Sequence, residues 1–103
     1  ASALMMLGDK VMATEAEQLG MLYKVFNDED FMEESKKIAT TVAQMPTKAL
    51  AYIKHALNQS ASNSLEAQLA LEDNYQQKAA ATNDFKEGVQ AFLDKRAPKF
   101  SGT

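Results

Sequence analysis

Cysteine is absent from this 103-residue chain. That excludes a disulfide scaffold, a thiolate nucleophile and any zinc–thiolate site. There is one histidine, His55, and it has no carboxylate at helical spacing beside it. It reads as a helix-surface residue rather than a metal ligand or a catalytic base. The four glycines are isolated, so no glycine-rich loop is available to cradle a phosphate. For the same reason no nucleophile elbow or oxyanion-hole glycine run is present. No apolar run approaches the roughly 20 residues of a membrane span. No basic stretch precedes an apolar one at the start, so no signal peptide is visible. The expected setting is cytoplasmic, with neither a membrane nor a nucleic acid as partner.

What remains favours helix. Leucine, alanine, lysine, glutamate and glutamine dominate, and only two prolines interrupt them. Hydrophobic residues make up 46%, which suits one domain with a packed core. A chain of this size should bury roughly 65% of its unfolded surface. Net charge is -3, with 14 acids against 11 bases, which argues against nucleic acid or an anionic membrane over the whole surface. The charge is unevenly spread. Five acids and no base lie between Asp28 and Glu34, whereas Lys95, Arg96 and Lys99 stand near the end with Asp94. That basic end is a candidate anion site, or else a solvated tail suited to a helix C-terminus.

Read in order, residues 2–7 look like the end of a helix stopped at Gly8, as if the chain began inside an existing element. Residues 9–12 are expected to be extended. Thr14 and Glu17 have the spacing of a capping box, and Gly20 sits where a left-handed residue ends a helix. Residues 21–26 read as extended and buried. Asp28 is expected to cap the next helix, whose apolar stripe is Phe31, Ile38, Val42 and Met45. Pro46 ends it and begins the following one, with Leu50, Ile53 and Leu57 as stripe. Asn63 and Glu66 form a second candidate capping box. Along the helix that follows, Leu65 and Leu69 fall on one face, and Leu71 and Tyr75 on another. Asn83 is expected to cap the last helix, with Phe85, Val89, Phe92 and Leu93 as its stripe and Pro98 as its stop. The fold class is therefore all-α: four main helices preceded by a short mixed segment. Glu66, Glu72 and Asp73 could in principle serve as paired carboxylates, but read as ordinary solvated acids. The six methionines suit core gaps or adaptable interfaces.

Several short patterns recur in a fixed order. They are Ala13-Thr14-Glu15-Ala16 with Leu19-Gly20-Met21, then Pro46, Ala49-Leu50, Lys54 and Leu57-Asn58, then Leu69 and Glu72. The last is Asp84, Glu87-Gly88-Val89, Ala91-Phe92-Leu93, Lys95-Arg96 and Pro98 with Phe100. Each piece alone is weak. The ordered set resembles the last third of crotonase-superfamily enzymes, the enoyl-CoA hydratase/isomerase family, along nearly the whole chain. Within it, the pattern is most similar to the bacterial ring-type isomerases of phenylacetyl-CoA breakdown.

The resemblance implies a C-terminal helical domain, residues 1–103, of the trimerisation type. It implies acyl-CoA as substrate, with no further cofactor, and chemistry through an oxyanion hole that stabilises an enolate-like thioester. In the family that apparatus lies on an N-terminal spiral of ββα units absent from these residues. No catalytic residue is therefore expected here. The helices would cap the acyl pocket and build a homo-oligomer. Phe92 and Lys95 match positions that contact the CoA adenine or its phosphate, and an aromatic face with an ammonium suits that group. Two other readings are a self-contained helical interaction module and a complete small acyl-CoA-binding protein.

Overall fold

The computed structural model describes residues 2–103. Six helices account for the regular structure, and no strand occurs among the described residues. They are α1 (Ser2–Leu7), α2 (Ala13–Gln18), α3 (Asp28–Ala43), α4 (Thr47–Ser60), α5 (Leu65–Ala80) and α6 (Asn83–Leu93). The chain divides into two compact units, one running to Lys37 and the other from Ile38 to Thr103, so that the boundary falls within α3.

In the first unit, α1 stops where expected, at Gly8 with φ +70°. The Thr14–Glu17 capping box does not form. Met12 occupies the cap position with no side-chain bond, and the Glu17 carboxylate instead accepts the Val25 N–H at 3.2 Å. That bond ties the connection after α2 back onto the helix. Gly20, φ +73°, ends α2 as predicted. Met21 N–H donates to Ala16 O at 2.8 Å and Gly20 N–H to Glu17 O at 2.9 Å, the paired bonds of a Schellman turn. Residues 21–26 are neither a strand nor buried: bends follow the turn, and Tyr23 is 85% exposed. Asp28 is the first helical residue of α3, one position inside its expected place as cap, and Asn27 O accepts from Asp30 and Phe31. Asp28, Glu29 and Asp30 still occupy the first turn, where the helix dipole favours acids.

The second unit is built on α4, α5 and α6. Here α4 packs on α5 and α5 on α6. Tyr52 of α4 stacks on Tyr75 of α5 with ring centroids 5.1 Å apart, and Gln68 donates across the pair to Ala56 O at 3.2 Å. Pro46 precedes α4 at its cap position. The caps of α5 and α6 each fall one residue from the expected asparagine. Ser64 accepts from Ala67 N–H at 3.2 Å, and Thr82 from Phe85 N–H at 3.1 Å. Asn63 instead donates to the Gln68 side chain at 2.9 Å.

Nor does Pro98 stop α6. The helix ends at Leu93, in a second Schellman turn with Lys95 at φ 54°. Residues 97–103 then run back along α6 to its start, where Asn83 and Asp84 N–H donate to Thr103 O at 2.9 and 3.2 Å. The Phe100 ring lies over Gly88, so close that a Cβ there would stand 3.5 Å from it.

The expected core does not materialise. Among the described residues, Ala16 and Ala91 are the buried apolar ones, and no large side chain is fully enclosed. The predicted stripes exist, but Phe31, Ile53, Leu57, Leu69, Phe85 and Val89 all remain 45% exposed or more.

Candidate functional site

One apolar hollow of the second unit lies where α6 faces the start of α4. A cavity of about 410 Å³ is lined by Pro46 and Ala49 on one side and by Phe85, Gly88, Val89, Phe92 and Leu93 on the other, with Phe100 from the returning tail. Asp84 also lines it and is 3% exposed. Its carboxylate is already committed to the tail. Ser101 N–H donates to Oδ1 at 2.7 Å, Gly102 N–H to Oδ2 at 2.9 Å, and the Ser101 hydroxyl approaches Oδ1 at 3.3 Å. Three of the roughly four acceptor sites of this carboxylate are thus taken up in fastening the tail to the start of α6. A second cavity of about 360 Å³ lies between α4 and α5, walled by Tyr52, Ile53, Leu57, Glu72, Tyr75 and Gln76.

Phe92 and Lys95 lie at the C-terminal end of α6. Phe92 lines the larger cavity yet is 82% exposed, so it is not a core member of the stripe with Phe85 and Val89. Lys95 follows one turn later, its N–H donating to Phe92 O at 3.2 Å. The Lys95 ammonium has no hydrogen bond or ion pair among the described residues. The two residues thus share one helix end, an exposed ring beside an unneutralised cation.

Arg96 is different. Its guanidinium grips Glu87 through two bonds of 2.6 and 2.9 Å and reaches Asp94 at 3.3 Å. Glu87 also accepts the Lys99 N–H at 2.8 Å. The Arg96 guanidinium, and then the Lys99 amide, hold the Glu87 carboxyl down to about 2. Glu87 in turn, with Asp94, raises the Arg96 pKa. Of the basic cluster, Arg96 therefore serves the fold, while Lys95 remains available to an anion. Nothing in the spacing of the sequence separated these two roles.

The remaining chemistry candidates stay apart. His55 is exposed beside the Tyr75 ring, at 6.4 Å between centroids. Glu72 accepts from Gln68 at 2.8 Å and Asp73 from Gln77 at 2.8 Å, both on the open surface of α5. No group of His, Asp or Glu that could hold a metal occurs among the described residues. No described helix is long and apolar enough to cross a membrane.

Comparison with known proteins gives a consistent result. A family model described as enoyl-CoA hydratase/isomerase matches residues 1–103. The chain is 40% identical over 99% of its length to a 1,2-epoxyphenylacetyl-CoA isomerase of Escherichia coli (strain K12). It is 39% identical, again over 99% of its length, to a probable enoyl-CoA hydratase of Rhodobacter capsulatus. It spans 39% and 40% of those two relatives. Among solved structures, an enoyl-CoA hydratase subunit of Geobacillus kaustophilus HTA426 superposes with a TM-score of 0.89 at 36% identity, over 99% of this chain and 40% of that one. An enoyl-CoA hydratase/isomerase of Mycobacterium abscessus gives 0.91 at 30% identity, over 99% and 39%. Nothing in these comparisons favours a self-contained interaction module.

Proposed function

Because the chain belongs to the enoyl-CoA hydratase/isomerase family, we propose that it is the C-terminal helical segment of an acyl-CoA enzyme, supplying grip and assembly rather than bond-making. The observation that carries this reading is the end of α6. There an exposed aromatic ring and an unpaired ammonium stand together, beside an apolar cavity. Phe92 would pack on the adenine of coenzyme A, and Lys95 would meet one of its phosphates. The acyl chemistry would belong to the rest of the enzyme, through an oxyanion hole that stabilises the thioester enolate. The likeness to a 1,2-epoxyphenylacetyl-CoA isomerase makes a ring-type acyl group the first substrate class to try. No cofactor beyond the acyl-CoA itself is called for, and the setting is cytoplasmic. The exposed stripes of α3 to α6 would be covered within a homo-oligomer and by the remainder of each subunit.

Titration of coenzyme A into the full-length enzyme tests the grip. Phe92→Ala and Lys95→Ala should each weaken binding by about two- to fivefold, the order of one exposed cation–π or ion contact. Unchanged affinity in both variants would remove α6 from the nucleotide site.

A further inference from the structure

Two helices of this chain end in the same hydrogen-bonded turn, but with different residues at its left-handed position. At the end of α2 that residue is Gly20, φ +73°. At the end of α6 it is Lys95, φ 54°, with Arg96 N–H donating to Ala91 O at 3.0 Å. A Cβ is disfavoured in this region, and glycine is the usual choice. The turn at Lys95 must therefore be held by something else, and the side chains on either side of it supply the hold. Asp94 accepts from Gln90 at 2.8 Å and from Arg96 at 3.3 Å. Arg96 takes Glu87 with both prongs of its guanidinium, and Glu87 also fixes the Lys99 amide.

Electrostatics point the same way. Asp94 and Glu87 are the acids nearest in this network, and either could otherwise neutralise a lysine. Arg96 takes Glu87 in the forked geometry that an ammonium cannot match and reaches Asp94 through its Nε–H alone. Lys95 is left charged and without a partner at the end of a helix.

We infer that Glu87 and Arg96 are positioning residues for Lys95: their clamp holds the left-handed turn and occupies the competing acids, so that the Lys95 ammonium is presented to a nucleotide phosphate. This rests on the reading of Lys95 as a phosphate contact. The test uses the full-length enzyme with an acyl-CoA and with the matching acyl-pantetheine, which keeps the thioester and lacks the nucleotide. Glu87→Gln should raise KM for the CoA ester about fivefold, the order of one ion contact. It should leave kcat and the pantetheine KM unchanged, and add nothing once Lys95 is already alanine. Arg96→Lys, which keeps the charge and loses the fork, should behave alike if Glu87→Gln folds poorly. An equal rise for both esters, or a full further rise on the Lys95→Ala background, would reduce the clamp to a structural role and overturn the inference. If Lys95→Ala separates the two esters and neither clamp variant does, the inference fails while the phosphate reading stands. If Lys95→Ala does not separate them, the phosphate reading fails first and takes this inference with it.

Discussion

Glycine at positions 88 and 102 serves two different ends, and substitution should tell them apart. Gly88 lies inside α6, where a Cβ would meet the Phe100 ring at 3.5 Å, an ordinary contact. Glycine within a helix costs about 1 kcal/mol relative to alanine. Gly88→Ala should therefore raise the unfolding midpoint slightly. Gly102 has φ +79°, and a Cβ there would stand 2.6 Å from the Thr47 hydroxyl oxygen. Gly102→Ala should lower the midpoint, with a cost of about 1–3 kcal/mol from the strained backbone before the clash is counted. Thr47→Ala on that background should recover part of it. Thermal unfolding followed by circular dichroism checks all three. Opposite signs for the two glycines are the expectation, and equal losses would contradict it. At this scale the sequence was only partly legible. Phe92 and Lys95 were expected to contact coenzyme A from their place in an ordered family pattern, a role that the proposed titration tests. The left-handed turn at Lys95 could not be read, because the usual sequence signal for such a turn is a glycine.

Among the elements, the tail and α6 form one fastening. Residues 97–103 have no helix or strand of their own, yet Asp84 and Glu87 hold four of their amide and hydroxyl groups between them. Glu87 titrates well below the usual carboxyl value of 4.5, at about 2. A depressed carboxyl stabilises the fold fully above its unfolded pKa and loses that contribution as pH falls through its folded one. The Lys99 amide resonance should accordingly follow that carboxyl and move with a midpoint near 2. A midpoint near 4.5 would mean that Arg96 does not hold the carboxylate in solution. Helices α3 to α6 were readable from apolar spacings of three and four, because that period survives whatever the helix packs against. Their caps came out one residue off, since Asn63-Ser64 and Thr82-Asn83 each offer two side chains able to accept the same amide. The tail's return along α6 was not readable at all: it depends on bonds between residues 17 and 18 positions apart.

Taken unit by unit, the chain folds its backbone more completely than it buries its side chains. In the unit ending at Lys37, Met5 and Met6 are each 84% exposed and Tyr23 is 85% exposed. In the other, Leu57, Leu65 and Phe92 are 66, 75 and 82% exposed. An apolar stripe read from sequence says that a face wants cover, but not where the cover comes from. That is why 46% hydrophobic content suggested a core that these residues do not form. Surfaces of this kind associate. Light scattering at high concentration should give a mass above that of one chain, and a strictly monomeric mass would count against the exposed faces as contact surfaces.

The same logic governs activity. On the proposed reading, the proton transfers at the thioester belong to the rest of the enzyme, while Asp84 is bound to the tail and His55 lies exposed beside the Tyr75 ring. The most direct measurement is crotonyl-CoA hydration by the purified chain, once circular dichroism has shown it to be helical. The rate should equal that of buffer alone. Turnover above buffer, retained through repurification, would contradict the claim that this segment holds and assembles while the chemistry lies elsewhere.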